Sequence, residues 1–84
     1  MYYVYVLLLN DETTYIGYTK DLKLRLHQHK SNLVKSTKGR EPELVYYEAF
    51  KSQKDASIRE YKLKKGQSRR HLIERIQESI KLCR

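Results

Sequence analysis

From Tyr2 to Leu9 every position is apolar or tyrosyl, and the run breaks at the polar triplet Asn10-Asp11-Glu12 before Thr13-Thr14-Tyr15-Ile16-Gly17-Tyr18 resumes it. Runs rich in Tyr, Val and Leu on either side of a short polar break predict a β-hairpin. Side chains alternate faces along a strand, so the loop length decides which of them meet. With a three-residue loop over Asn10 to Glu12, Tyr5 lies opposite Gly17 and diagonal to Tyr15 on one face. A loop one residue shorter or longer would part the two tyrosines across the sheet.

The pattern then changes to helical spacing. Thr19 can cap a helix over about residues 20–30, with Asp21 favourable at its positive end, and Leu22, Leu26 and Leu33 recur at helical intervals. Residues 31–42 carry Lys35, Lys38, Gly39, Arg40 and Pro42, with only Leu33 and Val34 apolar, and read as a mobile basic loop. Glu43 to Phe50 is a third strand by its Leu-Val-Tyr-Tyr centre. Ser52 and Asp55 resemble a capping box with Asp in place of Glu, opening a second helix that runs to Lys65 and stops at Gly66. Ser68 is placed to cap a third, over about 68–82, with the apolar stripe Leu72, Ile73, Ile76 and Ile80. The order ββαβαα predicts an α+β fold, a three-stranded antiparallel sheet with helices packed on it. With no repeat, low-complexity tract or linker, residues 1–84 read as one domain.

Length and charge narrow the function. An 84-residue domain has a thin core. A net charge of +8 favours a polyanion as partner, nucleic acid first. Anionic membrane is the rival, but it calls for an amphipathic helix with bulky anchors, and the chain has no Trp and a single Phe. Tyr2 to Leu9 is far shorter than the ~20 residues of a membrane span, so the expectation is a cytoplasmic protein. A lone cysteine, Cys83, excludes an internal disulfide and a Cys-based zinc site.

Two places depart from simple amphipathicity. Arg25 and His29 are four apart and share the side of the first helix that carries Leu22 and Leu26. On the second helix Glu60 falls between Ala56 and Leu63, on the inward stripe. A buried carboxylate needs a partner or a metal. Arg25 could reach past the leucines to water; Glu60 could pair with Arg59, Lys62, Lys64 or Arg25. The tyrosines taken singly suit ordinary half-buried strands, and His29 alone suits a helix surface.

Taken together, Tyr3-Val4-Tyr5, Tyr15-Ile16-Gly17, the run Thr19 to His29 and the later Arg59-Glu60-Tyr61-Lys62-Leu63-Lys64 closely resemble the GIY-YIG nuclease signature over about residues 2–65. The likeness is to small stand-alone bacterial members, related to the catalytic module of the excision-repair endonuclease. Tyr3 departs from it, standing where the first glycine is expected. The resemblance implies a metal-dependent endonuclease acting on DNA, in a repair setting. It assigns Tyr5 as general base, Tyr15 beside it, Arg25 on the scissile phosphate, His29 at the position four residues beyond, and Glu60 as the ligand of one Mg²⁺ or Mn²⁺. Because free Tyr titrates near pH ~10, Tyr5 as base predicts cleavage that rises with pH. Gly17 would let the backbone approach a phosphate. Lys20, Lys35, Lys38, Arg40, Lys62, Lys64, Arg69 and Arg70 form the expected track for the nucleic-acid backbone, each being a solvated surface charge otherwise. The partner is then DNA, the chain a monomer with room in a larger repair or processing complex. The competing reading is a binding module with the same fold and little turnover. A structural partner-binding domain would require an apolar patch that the sequence does not show.

Overall fold

The computed structural model describes residues 1–83. The apolar run becomes strand β1 (Tyr2–Leu8), which pairs antiparallel with β2 (Thr14–Thr19). Tyr5 faces Gly17 and Leu7 faces Tyr15, the register of the three-residue loop. The turn shows why. Glu12 N–H donates to the Leu9 carbonyl (2.9 Å) and Leu9 N–H to that of Thr13 (2.9 Å), while Glu12 takes the left-handed φ of 68° that such a loop requires.

Strand β3 (Glu43–Phe50) pairs antiparallel with the other edge of β1, giving the order β2-β1-β3. Between the pairs Val6–Tyr46 and Leu7–Leu44 the residue Val45 is extra, a bulge; above it Tyr47 lies opposite Tyr5. As the central strand, β1 is covered on both faces, which accounts for its unbroken apolar sequence. Val4 and Val6 join Ile16, Ala56, Leu63, Leu72 and Ile76 in the main core. Tyr5 points the opposite way, toward the first helix.

That helix, α1 (Leu22–Lys30), starts later than the sequence suggested. Asp21 is its cap, one carboxylate oxygen accepting from Leu24 N–H (3.1 Å). The Thr19 hydroxyl instead accepts from Asp21 N–H (3.1 Å), turning the chain one step ahead of the helix. Leu33 is 71% exposed beyond the helix and has no part in its inner side. Helix α2 (Gln53–Leu63) is capped by Ser52, whose hydroxyl accepts from Asp55 N–H (3.2 Å).

The third expected helix is broken into α3 (Gly66–Arg75) and α4 (Gln77–Leu82). Ser68 lies inside the first turn of α3; Lys65 holds the cap position. The break is at Ile76, whose N–H donates back to the Leu72 (3.2 Å) and Ile73 (3.3 Å) carbonyls, and the Gln77 side-chain amide adds a second donor to the Ile73 carbonyl (2.7 Å). The apolar stripe survives the break: Leu72 and Ile76 are buried, with Ile73 and Ile80 packed against them.

Residues 31–42 are more ordered than a mobile basic loop. They contain a 3₁₀ turn, Lys35–Thr37, and bury Val34, Thr37 and Pro42. Their far end is stitched to the hairpin: Asn10 N–H donates to the Arg40 carbonyl (2.8 Å), and the Arg40 guanidinium pairs with Asp11 and donates to the Thr13 hydroxyl (3.2 Å). Among the described residues no helix is long and apolar enough to cross a membrane.

Candidate active site

The site is built around Tyr5, which has no exposed surface. A Cβ on Gly17 would fall within the Tyr5 ring, against Cζ and the hydroxyl oxygen. The missing side chain of Gly17 is therefore the seat of the Tyr5 phenol; the expected approach of a phosphate to that spot is taken by the ring. From two residues back along β2, Tyr15 leans over the same spot, its ring centroid 6.4 Å from that of Tyr5. The two phenols share one face, as the hairpin register requires.

From α1, His29 closes the cluster. It is 1% exposed, and its ring packs edge-on against Tyr5 (5.5 Å) and Tyr15 (5.3 Å). Its Nε2 lies 2.8 Å from the Tyr5 hydroxyl and its Nδ1 2.7 Å from the Thr37 hydroxyl. Burial, and then the positive charge of Arg25, hold His29 below its ordinary pKa, so it is neutral at neutral pH. A neutral ring has one donor and one acceptor nitrogen. In the tautomer that carries its hydrogen on Nδ1, that nitrogen donates to Thr37 and Nε2 accepts from the Tyr5 hydroxyl; in the other tautomer both directions reverse. Burial pushes the Tyr5 phenol up, against hydrogen bonding and charge from Arg25; Tyr15 and Glu60 add to the rise. Thr37 had no sequence signal: it stands in the basic loop, eight residues from His29, in no periodic pattern.

Arg25 stands on the same side of α1, partly exposed, with Nη1 donating to the Gln28 amide oxygen (3.2 Å). Its charge reaches both Tyr5 and His29. Glu60 enters from α2, which packs against β1 and the edge strand β2, and its charge also reaches Tyr5. Its side chain is 25% exposed and pairs with Lys64 Nζ at 3.2 Å. Arg59, another partner open to it, belongs to Glu48, with bonds of 2.9 Å from Nε and 2.8 Å from Nη2. A partly exposed carboxylate is a donor of the kind a hard divalent cation takes. Among the described residues no three His, Cys, Asp or Glu side chains gather into a cage, so Glu60 fits a metal that draws its other oxygens from water and phosphate.

The expected backbone track divides. Lys20, Lys35, Lys38, Lys62, Lys64 and Arg70 are exposed. Arg69 is not free: its Nη2 donates to both the carbonyl and the hydroxyl of Thr14 (2.8 Å each), tying α3 to β2. Arg40 is held at the hairpin by Asp11.

Residues 1–73 match the family model of the GIY-YIG catalytic domain. Over 67 residues the chain is 43% identical to a UPF0213 protein of Clostridium perfringens, an alignment covering 77% of this chain and 72% of the relative. With a UPF0213 protein of Staphylococcus epidermidis it shares 38% over 79 residues, covering 92% and 95%. The solution NMR structure of a UPF0213 protein from Bacillus halodurans has the same fold, with a TM-score of 0.56 and 35% identity over 87% of this chain and 82% of that one. The family model over residues 1–73 and these relatives place the chain in the GIY-YIG catalytic domain family, a family of nucleases.

Proposed function

We propose that the protein is a metal-dependent endonuclease that hydrolyses phosphodiester bonds in DNA, with its chemistry at Tyr5, Tyr15, Arg25, His29 and Glu60. The observation that carries this reading is the 2.8 Å contact between the Tyr5 hydroxyl and a neutral, buried His29. Binding alone has no use for a phenol whose proton already has an acceptor.

Hydrolysis needs a deprotonated water, relief of charge on the phosphoryl oxygens and support for the leaving oxygen. In this scheme Tyr5 takes a proton from the attacking water as its own passes to His29 Nε2. The new bond forms between water oxygen and phosphorus, and the bond to the leaving sugar oxygen breaks. Thr37 accepts from Nδ1–H and so keeps Nε2 the acceptor. Because Tyr5 is shut from solvent, water reaches it only when substrate displaces the partly exposed Tyr15 or Arg25. Tyr15 orients that water or the phosphate. Arg25 forks two N–H groups onto the scissile phosphate, a role that lysine does not fill, and its loss costs about 10²–10³ in rate. Glu60 would hold one Mg²⁺ or Mn²⁺, whose contribution when bound is charge neutralisation on the phosphate and support of the leaving group. Lys64 must release Glu60 for this.

The test compares wild type with Arg25→Ala, Glu60→Gln and Tyr5→Phe for Mg²⁺- or Mn²⁺-dependent cleavage of branched and duplex DNA. Each substitution is expected to abolish most cleavage. Equal residual activity in all four proteins would mark it as contamination and leave a nucleic-acid-binding module.

A further inference from the structure

Beside the Tyr5 cluster, on the same face of the sheet, lies a groove of about 410 Å³ lined by Tyr3, Tyr47, Leu22 and Leu26 and by the charged Lys20, Asp21 and Lys23. Neither Tyr3 nor Tyr47 has a part in the mechanism above. Their rings meet edge to face, with centroids 6.0 Å apart and planes at 61°. Tyr47 keeps 51% of its surface exposed. The position is fixed by the sheet. Tyr47 is the cross-strand partner of Tyr5, and Tyr3 is two residues along β1 from it, so all three point to one side.

We infer that this groove receives one unstacked nucleotide of the DNA strand, next to the phosphate held for cleavage. Resting on the nuclease reading above, the inference specifies its substrate: a strand with an unpaired base beside the cut. Three features select that occupant over an apolar peptide or a plain duplex backbone. An exposed aromatic face is a platform on which any base can stack, whatever its sequence. Leu22 and Leu26 supply an apolar wall for the base edge. Lys20 and Lys23 supply the charge a flanking phosphate needs, and outnumber Asp21, whose carboxylate already accepts from Leu24 N–H. A paired base is stacked within its helix and has no free face to offer, so a duplex meets the lysines but not the tyrosines.

Distance supports the assignment. Neighbouring strands are about 4.8 Å apart, and Tyr47 stands one strand from Tyr5, directly opposite it. Leu26 follows Arg25 on α1, so the groove wall and the proposed phosphate grip belong to the same turn of helix.

The test is equilibrium binding, by fluorescence anisotropy, of three labelled DNA probes without divalent metal. One is a blunt duplex, one the same duplex with a short single-stranded overhang, and one carries that overhang with its bases removed and its phosphates kept. Wild type is expected to bind the full overhang about tenfold more tightly than the abasic one. Tyr47→Ala is expected to erase this difference, Tyr47→Phe to keep it, and neither to alter blunt-duplex affinity. Lys20→Gln is expected to weaken all three probes and reduce the salt dependence. Equal wild-type affinity for the full and abasic overhangs overturns the inference while leaving the nuclease reading in place. So does a Tyr47→Ala protein that folds and retains the preference. Binding of no probe overturns the inference, and the metal-dependent cleavage assay then decides the nuclease reading separately. If Tyr47→Ala does not fold, the wild-type comparison of the two overhangs decides alone.

Discussion

The Tyr5 phenol occupies the space that a side chain on Gly17 would fill, so the two residues of a directly opposed cross-strand pair are fitted to each other. Gly17→Ala would force the ring off its contact with His29 or spread the central strand pair. Overpacking of this kind costs about 1–3 kcal/mol. Urea denaturation is expected to show that loss, with a larger proportional fall in cleavage rate because the Tyr5 hydroxyl moves. Tyr5→Leu shortens the offending side chain, and in that background the Gly17→Ala cost in stability is expected to shrink. An equal cost in both backgrounds would mean that Gly17 is required for backbone reasons instead.

The buried His29 makes stability depend on pH in a definite direction. Its folded pKa lies below the ordinary value near ~6.5, so between the two values the unfolded chain binds more protons. Stability is therefore complete above about pH 6.5 and falls as the pH drops toward the folded value. Asp11, held down at about 2 first by its bonds to Thr13, and Glu48, held down by Arg59, act only at more acidic pH, as each contribution is lost on protonation. At the alkaline end the raised Tyr5 and Tyr46 phenols work the other way: their contribution is full below about pH 10 and is lost as the pH climbs through their folded values. Thermal midpoints measured from pH 7.5 down to 5 are expected to decline, and His29→Gln to remove most of that slope.

In the proposed mechanism the same residues would also set the rate profile. The sequence alone argued for cleavage that climbs with pH through ionisation of Tyr5. With the phenol pushed up by burial and its hydroxyl against neutral His29, the limiting event becomes His29 deprotonation. Single-turnover rates at saturating metal are expected to rise through the acid range and level off by about pH 7, below the ordinary tyrosine range near ~10. A rise continuing to pH 9 would point to Tyr5 ionised in advance and sink the His29 step. Thr37→Val removes the partner of His29 Nδ1, leaving a buried donor unmet at a cost of about 1–3 kcal/mol. It is expected to slow cleavage without changing the salt dependence of DNA binding, and Thr37→Ser to restore it.

Most of this site could be read from the chain, because its parts lie on regular elements. A period of two along the hairpin places Tyr5 and Tyr15 together once the loop is three residues, and a period near four puts Arg25 and His29 on one side of α1. What escaped has no period. Thr37 is set by a 3₁₀ turn flanked by the buried Val34 and Pro42, and the break at Ile76, where the Gln77 amide reaches back to the Ile73 carbonyl, interrupts an apolar stripe that itself continues. The Thr19 and Asp21 caps were confused because either side chain suits a first turn, and only the backbone decides which one reaches Leu24. The role of Gly17 was missed for a similar reason: pairing shows that Tyr5 is opposite, but not that its ring lies back across the partner strand.

The cations give the last prediction, because charge count alone treats them alike and their partners do not. Arg69 is spent on Thr14 and Arg40 on Asp11, whereas Lys35, Lys38 and Arg70 are exposed. Each lysine or arginine that neutralises a backbone phosphate adds about one to the slope of log affinity against log salt. Lys35→Gln, Lys38→Gln and Arg70→Gln are expected to lower that slope by up to about one each and to leave unfolding unchanged. Arg69→Gln is expected to do the reverse, lowering stability by about 1–3 kcal/mol through loss of a charged donor to a partly buried carbonyl, with the slope unmoved. Should Arg69→Gln reduce the salt slope as much as Arg70→Gln, the Thr14 contact must open on DNA, and Arg69 then returns to the phosphate track.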